Sequence, residues 1–514
     1  MAKNKEFKIW LFFLIYTTLS VLLFDPKLFT GGDNAVYIIL AESITTGKGY
    51  KNIYLPEQPP HTQYPPGFPL LLSIPILIFG KNIILLKLMI FLTGLGSLLF
   101  FYLIIKEHFK EYSKIFTLVY LSFPIFINYN HWILSEIPFL FFSLGAIYFL
   151  LKFCHKRQLS IFLIATFFAI YAFFIRTAGI SLILGFVLFF IIKKEYKYLI
   201  IFLILFLIFF IPWEMRNANI PDNTGYIKQL LAKNPYQMEL GTIGFSDFMR
   251  RIWDNLLLYS FTILPATILP ILNSKFLLSF SGLIFMFFTI TGFILRLKKF
   301  TILETYFIFG IGVLLAWPGV WSSDRFLLPL IPLVLIYIFS GLIWIQNRLK
   351  IKNFALVISG LLIVLNVISI IPQAKTAVSQ NLDYMKGNSF AGYTIDWRRY
   401  FEVIDYIRKN IPEDKIIMAR KPEFVYLLSR HKSFCYPFTT NRNEVRESIK
   451  KVDYIIFDNF RWTGTTLRYL LPVIQEHFED FETIYKTNYP EFFLLRVKKE
   501  NFSAGFLSLL QRLS

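Results

Sequence analysis

The sequence predicts a polytopic α-helical membrane protein that ends in a small α/β domain, and its composition is the first reason. Of the 514 residues, 55% are hydrophobic and only 17% are charged, and the mean hydropathy is +0.55. A soluble domain has about 25% charged residues. Apolar runs such as "IWLFFLIYTTLSVLLF" and "YLIIFLILFLIFFI" are, with their flanks, long enough to cross a hydrocarbon layer of about 30 Å.

Six clusters of basic residues separate the apolar runs and set the orientation. Because cytoplasmic loops carry an excess of Lys and Arg, we place all six clusters on the cytoplasmic side. The clusters are Lys3, Lys5 and Lys8; Lys106, Lys110 and Lys114; Lys152, Lys156 and Arg157; Lys193, Lys194 and Lys197; Arg296, Lys298 and Lys299; and Arg348, Lys350 and Lys352. Much of the formal net charge of +20 therefore reflects topology and contact with anionic lipid, and no nucleic-acid partner is expected.

This orientation predicts eleven spans, a cytoplasmic N-terminus and an extracytoplasmic C-terminal segment. No small-residue cleavage site follows the first apolar run, so we interpret it as a retained span. The predicted spans are 8–24, 82–105, 113–128, 131–151, 158–175, 177–193, 196–213, 276–295, 301–318, 326–346 and 353–372. The apolar pieces at 68–79 and 256–272 are left over. The first is too short and too proline-marked to span, and the second is re-entrant or half of an unresolved pair, so the expected count is about 11 to 13.

The loops and the C-terminal segment divide the chain into two predicted domains. Residues 1–372 form the transmembrane domain, with a long first outer loop at 25–66, and residues 373–514 form an extracytoplasmic α/β domain. In this second domain charged residues are frequent, and the runs "KIIMA", "YIIFD" and "FFLLRV" predict short strands between helical patterns. It contains no GxGxxG or Walker pattern, so a nucleotide site is not expected there.

Cysteine and histidine usage argues against thiol and metal chemistry. The two cysteines, Cys154 and Cys435, fall on opposite sides of the membrane in this topology and cannot pair. Neither lies in a CxxC motif or a His/Cys cluster, so a structural zinc site is not expected. No His/Asp cluster has ligand spacing. The prediction is therefore that the protein has no cofactor and no metal site.

Two carboxylates fall near the outer ends of predicted helices. Asp33 in "GGDNAVYIILAESITTGKGY" lies four residues before Tyr37 on a predicted helix, so the two side chains can share one face. Glu136 in "NHWILSEIPF" lies about one turn inside the fourth predicted span, where a carboxylate is costly to bury and marks a functional site. The structural alternatives are a helix N-cap for Asp33 and a hydrogen-bonding tie between two helices for Glu136.

A set of motifs between residues 31 and 332 resembles one family of membrane enzymes. The motifs are "GGDNAVYIILAESITTGKGY", "YPPGFPLLL", "LSEIPF", "FIRTAGIS", "IPWEMRN" and "DRFLLPLIPL". Together they resemble the GT-C class glycosyltransferases, and within that class the dolichyl-phosphate-mannose-protein mannosyltransferase and lipid A aminoarabinose transferase-like group. The resemblance implies a GT-C fold, a polyprenyl-phosphate sugar as donor, and an active site at the outer membrane face. A divalent cation helps some members of this group and is left open here.

The resemblance also implies roles for the two acids. It makes Asp33 the general base that activates the acceptor, and an inverting transfer needs one such base. Glu136 matches the second acid of the family, with a role in orienting the acceptor or the donor sugar. Tyr37, His61 and Tyr64 are candidate cleft residues. The aminoarabinose transferases carry a Lys where this chain has Tyr64, so a lipid A substrate and a loop lysine for the phosphate are both in doubt.

A cation is expected to bind the donor phosphate. Arg325, near the outer end of the tenth predicted span, is the first candidate because its guanidinium can bind two oxygens at once. Arg176 and Arg216 follow. Lys87, about a turn inside the second span, is the fourth candidate, with snorkelling to the interface as the alternative.

The predicted function is therefore transfer of a hexose or pentose from a polyprenyl-phosphate donor to a lipid, glycan or protein acceptor. The low-charge, Phe/Ile-rich composition suggests a bacterial inner membrane. A lipid or polysaccharide transporter is the first alternative, but no internal repeat is evident. An O-antigen polymerase or ligase is the second. The oligosaccharyltransferase Trp-Trp-Asp motif is absent, since the sequence contains no Trp-Trp pair.

Overall fold

A computed structural model of the chain describes residues 9–220 and 226–499, and the cluster Lys3, Lys5 and Lys8 lies outside these ranges. Contacts between residues divide the chain into two units. Unit 1 comprises Met1–Phe29, Thr62–Leu230 and Ile243–Met385, and unit 2 comprises Thr30–His61, Leu231–Thr242 and Lys386–Ser514. The division differs from the predicted domains 1–372 and 373–514, because part of the first outer loop joins the C-terminal segment.

Unit 1 is helical in the part that the structure describes. Its helices are α1 (Trp10–Leu22), α3 (Gly67–Phe79), α4 (Ile83–His108), α5 (Ser113–Ser122), α6 (Pro124–Asn128), α7 (Glu136–Lys156), α8 (Leu159–Ile175), α9 (Ile180–Ile192), α10 (Tyr196–Ala218), α11 (Tyr226–Leu231, which ends in unit 2), α12 (Phe245–Leu258), α13 (Leu264–Ile268), α14 (Lys275–Leu297), α15 (Ile302–Ala316), α16 (Asp324–Leu327), α17 (Ile331–Leu349) and α18 (Phe354–Met385). Helix α2 (Asn34–Thr45) belongs to unit 2.

The predicted spans all fall on helices of unit 1. Six helical segments of the described chain are long and apolar enough to cross a membrane: Ile83–His108, Glu136–Lys156, Tyr196–Ala218, Lys275–Leu297, Asp324–Leu349 and Phe354–Met385. Four other predicted spans, 8–24, 158–175, 177–193 and 301–318, coincide with shorter apolar helices, and 113–128 is divided between α5 and α6. The two apolar pieces that were not assigned to spans are also helical. The first, 68–79, lies in α3. The second, 256–272, covers the end of α12, a π-helical turn at Tyr259–Ile263, and α13.

Small residues let the helices of unit 1 pack closely. Helix α14 packs along α17, and Gly292 and Gly341 lie at their contact. A methyl group added at Gly292 would collide with the carbonyl group of Tyr337, and one added at Gly341 would lie 2.7 Å from the Phe288 carbonyl oxygen. Membrane helices associate largely through close packing of this kind, because the hydrophobic effect does not favour helix–helix contact over contact with lipid.

One basic cluster assigned to topology also has a structural role. Arg296, in the last turn of α14, is 9% exposed, and its Nε donates to Glu304 Oε1 at 2.9 Å. Glu304 Oε2 in turn accepts from the backbone N–H of Thr301 at 2.7 Å, which completes a capping box at the start of α15. This buried pair fixes the turn between α14 and α15.

Unit 2 contains a five-stranded sheet. Its strands are β1 (Ile417–Met418), β2 (Ser433–Phe434), β3 (Tyr454–Phe457), β4 (Phe481–Lys486) and β5 (Phe493–Val497), in the order β2-β1-β3-β5-β4. Strand β1 is parallel to β2 and β3, whereas β5 is antiparallel to β3 and β4. The helices are α19 (Ile395–Asn410), α20 (Pro422–Ser429), α21 (Arg442–Ile449) and α22 (Leu471–Glu476). The predicted strands are β1, β3 and β5, while β2 and β4 were not anticipated.

The first outer loop is part of the packing of unit 2. Ile39 on α2, Ile53 and Tyr426 on α20 form a buried apolar cluster. The Ser433 N–H at the start of β2 donates to the carbonyl oxygen of Tyr54 at 2.8 Å. Arg430 also pairs with Glu42 at 3.0 Å. These contacts fix α2, and with it the residue that precedes it, against the C-terminal α/β fold.

We expect Gly292→Val to lower the yield of folded, detergent-extracted protein several-fold, because the added side chain separates α14 from α17. Gly312→Val on α15 is the matched control, since an added Cβ there meets no atom within 4 Å. Thermal melting of the extracted protein measures the effect. Equal melting temperatures for the two variants would contradict the close packing of α14 on α17.

Candidate functional site

Three helix ends of unit 1 bring an acid and two arginines together. Glu136 is the first residue of α7, Arg176 directly follows α8, and Arg325 lies in the short helix α16 that leads into α17. An acid at a helix N-terminus and a base at a helix C-terminus each complement the helix dipole. The placements of Glu136 and Arg176 are therefore favourable even before they pair.

One carboxylate oxygen accepts hydrogen bonds from both arginines. Glu136 Oε1 is bound by Arg176 Nη1 and by Arg325 Nε, and Arg176 Nη1 also donates to Ser135 Oγ at 3.2 Å. The side chain of Glu136 is fully buried, while those of Arg176 and Arg325 are 12% and 19% exposed. The three side chains together carry one positive charge in excess. A buried carboxylate at this depth is stable only when it is paired in this way.

Aromatic and polar side chains border the trio Glu136, Arg176 and Arg325. The guanidinium carbons of both arginines lie over the ring of Phe326, at 5.6 and 5.9 Å from its centroid. The Tyr129 hydroxyl donates to Asp324 Oδ1 at 3.3 Å. Ser135, Asp324 and Phe326 were not predicted as site residues, although they lie within the motifs "LSEIPF" and "DRFLLPLIPL" that carry the resemblance.

The other two candidate cations of unit 1 contact different groups. Lys87 is 1% exposed, and its Nζ donates to the backbone carbonyl oxygens of Asp25 (2.5 Å) and Lys27. It therefore ties α4 to the chain that follows α1 instead of snorkelling outward. Arg216 at the end of α10 donates to Asn217 Oδ1 at 2.8 Å and lies over the Trp213 ring. Neither contact involves the trio.

Asp33 and Tyr37 belong to unit 2. Asp33 occupies the N-cap position of α2, but its side chain makes no capping hydrogen bond to the helix. Its backbone carbonyl accepts from the Tyr37 N–H at 3.1 Å, as the first helical hydrogen bond, and Tyr37 is 4% exposed. The capping interpretation thus lacks the hydrogen bond that would define it. The role of the carboxylate as a base remains a prediction.

The remaining predicted cleft residues are in different settings. His61 is 4% exposed, and its Nδ1 lies 2.7 Å from Asn52 Oδ1, while its ring meets Tyr50 edge-on. These contacts hold the loop of unit 2 in shape. Tyr64 is half-buried in unit 1, just before α3. Among residues 9–220 and 226–499, no group of three His, Cys, Asp or Glu side chains is arranged to hold a metal ion.

Comparison with known families matches residues 63–215 to the dolichyl-phosphate-mannose-protein mannosyltransferase family. Glu136 and Arg176 fall inside the matched segment, whereas Asp33 and Arg325 fall outside it. No curated protein sequence matches the chain.

Two solved structures are similar over nearly the whole chain. ArnT from Cupriavidus metallidurans in the apo state has a TM-score of 0.56 at 12% identity, with 95% of this chain and 98% of that chain covered. ArnT bound to undecaprenyl phosphate has a TM-score of 0.56 at 11% identity, with the same coverage. The chain has the GT-C fold. Together with the family match, this indicates a membrane glycosyltransferase that uses a lipid-linked sugar and confirms the expected resemblance.

A double-mutant cycle tests the buried trio. Glu136→Gln should destabilise the protein because it removes the carboxylate that both arginines share, and Arg176→Gln because it removes one of the two cations that bind the buried Glu136. The double variant should lose less than the sum, with a coupling of about 1–3 kcal/mol. The exposed pair Arg157–Glu195, 54% and 27% exposed, is the control and should couple by about 0.5 kcal/mol or less. Thermal unfolding in detergent measures both cycles, and additive effects at Glu136 and Arg176 would refute the pairing.

Proposed function

We propose that the protein transfers a sugar from a polyprenyl-phosphate donor to a lipid, glycan or protein acceptor at the outer face of the membrane. The observation that carries the proposal is the trio Glu136, Arg176 and Arg325, in which two guanidinium groups share a single carboxylate oxygen. Two guanidinium groups held side by side suit the oxygens of one phosphate group. The shared fold with a protein that has been crystallised with undecaprenyl phosphate supports the donor class.

In the proposed reaction the arginines stabilise the leaving phosphate. The bond between the anomeric carbon of the sugar and the phosphate oxygen breaks, and that oxygen leaves with the electron pair. Negative charge therefore grows on the phosphate in the transition state, where fixed cations lower the barrier most. Arg325 is the main phosphate-binding residue of this proposal, and Arg176 supports it.

Glu136 acts in this proposal by holding the two arginines. Its carboxylate is fully buried and already accepts from both guanidinium groups, so it fixes their positions before the donor arrives. Groups held in place in this way need no reorganisation during the reaction. Glu136 is thus a positioning residue, a narrower role than that of the orienting acid that the family resemblance implies.

Asp33 acts in this proposal as the general base. The acceptor hydroxyl or amine gives its proton to the carboxylate as its oxygen or nitrogen bonds to the anomeric carbon, which inverts the configuration of the sugar. The absence of a capping hydrogen bond from Asp33 to α2 supports a role other than capping. No second nucleophilic carboxylate is needed, because the phosphate leaves in the same step.

Replacing Arg325 should weaken donor binding. We expect Arg325→Ala to raise the KM for the polyprenyl-phosphate sugar about tenfold or more, which corresponds to about 1.4 kcal/mol. Arg325→Lys should recover only part of this loss, because a lysine cannot bind two phosphate oxygens in a planar fork. Arg157→Ala, at an exposed position, is the control. If a folded Arg325→Ala protein has an unchanged KM, Arg325 is not the main phosphate-binding residue and Arg176 becomes the first candidate.

Replacing Asp33 separates chemistry from structure. We expect Asp33→Asn to lower the transfer rate by about 10²–10⁴, because the amide cannot accept the proton. The variant should still fold and bind the donor, since Asn has nearly the same size as Asp and the Asp33 side chain makes no capping hydrogen bond that the change could remove. Asp383→Asn, at an exposed position on α18, is the matched control. Transfer at the wild-type rate by Asp33→Asn membranes would rule out the general-base role.

The outer-face assignment predicts where reporters are active. A periplasm-active reporter fused after residue 400 should be active, while one inserted within Arg296–Phe300 should not. Reporters active only in the cytoplasm should give the opposite pattern at the same two positions. A cytoplasmic signal from the fusion after residue 400 would contradict both the topology and the outer-face reaction.

A further inference from the structure

The parallel strands of unit 2 end in a cluster of cationic and aromatic side chains that the transfer reaction does not use. Strand β1 lies between β2 and β3 and is parallel to both, so the carboxyl ends of the three strands share one edge. The chain goes from β1 to β2 on one side and then crosses to β3 on the other. A reversal of this kind opens a crevice at the carboxyl ends of the strands, which is where open α/β sheets bind ligands.

Arg420, just after β1, is the central residue of this edge. It is 8% exposed, and its guanidinium carbon lies 4.9 Å from the ring centroid of Phe438 and 5.0 Å from that of Trp462. Its Nε donates to Thr465 Oγ1 at 3.0 Å. Its Nη1 and Nη2 groups make no hydrogen bond or ion pair with any residue that the structure describes. Neither nitrogen is a fully buried atom, so both donor groups can be reached by an anion from the solvent.

A hydroxyl network holds Arg420 in place. Thr465 Oγ1, which accepts from Arg420, also lies 3.0 Å from the Tyr436 hydroxyl, and that hydroxyl lies 2.7 Å from Thr466 Oγ1. Thr466 in turn donates to Asp458 Oδ2 at 2.8 Å. Burial raises the pKa of Asp458 to about 6, and Arg420 is among the groups that act against this rise. The guanidinium is thus fixed by groups from the ends of β2 and β3.

The surroundings of Arg420 favour a sugar over a bare anion. The Trp462 ring is 46% exposed and offers a flat apolar face, on which the C–H face of a sugar ring can stack. Lys421 Nζ lies 5.8 Å from the centroid of the same ring and is paired with Glu423 Oε1 at 3.3 Å. The Thr463 hydroxyl, 3.1 Å from Thr465 Oγ1, is only half-buried. A methyl group added at Gly464 would meet no atom within 4 Å, so the loop leaves space there.

We propose that this edge of unit 2 binds an anionic saccharide, with Arg420 on the carboxylate or phosphate group and Trp462 against the sugar ring. Arg420 presents two parallel N–H donors, the geometry that binds a carboxylate or phosphate through two oxygens. Trp462 offers an exposed ring face on which the sugar can stack. Neither Arg420 nor Trp462 has a role in the proposed transfer reaction, and the proposal does not depend on the proposed donor.

Binding of simple sugars to the full-length protein in detergent tests the site. Saturation-transfer NMR at pH 7.5 would compare glucuronic acid and glucose 6-phosphate with neutral glucose, and inorganic phosphate would be added as a competitor. We expect at least one of the anionic sugars to bind at least tenfold more tightly than glucose, with inorganic phosphate a weaker competitor than either binding sugar. The two anionic sugars distinguish a carboxylate ligand from a phosphate ligand.

Matched variants decide whether this edge is responsible. Trp462→Ala and Arg420→Gln should each weaken binding of the anionic sugar at least tenfold, whereas Phe478→Ala and Lys451→Gln, at exposed positions of the same unit, should not. Arg325→Ala should leave this binding unchanged, which separates it from the donor site. Because Trp462 is half-exposed, its replacement should preserve folding even if Arg420→Gln does not. Binding that persists in Trp462→Ala, equal binding of glucose, or no binding of either anionic sugar would overturn the proposal.

Discussion

The burial of one carboxylate sets the arrangement of the candidate site in unit 1. Glu136 begins α7 with a side chain that has no exposed surface, and a carboxylate there must be neutralised by nearby cations. Arg176 and Arg325 supply the cations from the end of α8 and the start of α16. Three membrane helices are thereby held together at one point, and two guanidinium groups are fixed in advance of any ligand.

Charge balance links this structure to its proposed chemistry. In the proposed site two arginines share one carboxylate, and the donor phosphate would be a second anionic partner for them. The same reasoning explains why the other candidate cations are less suitable. Lys87 is already satisfied by backbone carbonyl oxygens, and Arg216 bonds to Asn217 beside it and lies over Trp213. A buried lysine such as Lys87, whose ammonium group already donates to backbone oxygens, has little to gain from binding a phosphate.

The contacts of unit 2 give the C-terminal segment a defined relation to the first outer loop. Helix α2 follows Asp33 and packs on α20 through Ile39 and Tyr426, and strand β2 bonds to the backbone of Tyr54. The loop with the proposed base is therefore part of the α/β fold instead of a free connection between spans.

The sequence by itself determined the fold class, the positions of the membrane helices and the presence of strands β1, β3 and β5. These features depend on local composition: apolar runs long enough to span, basic clusters between them, and short apolar runs bounded by turns. It also singled out Glu136, because a carboxylate one turn inside an apolar span is costly to bury, and Arg176 and Arg325, because a phosphate donor requires a cation near the outer ends of the spans. Only the tertiary structure decided that these three meet while Lys87 and Arg216 bond elsewhere. Arg176 and Arg325 lie 40 and 189 residues from Glu136, and pairing at such separations depends on how whole helices pack. The inclusion of the first outer loop in unit 2, and the unused donors of Arg420, depend in the same way on contacts between distant segments.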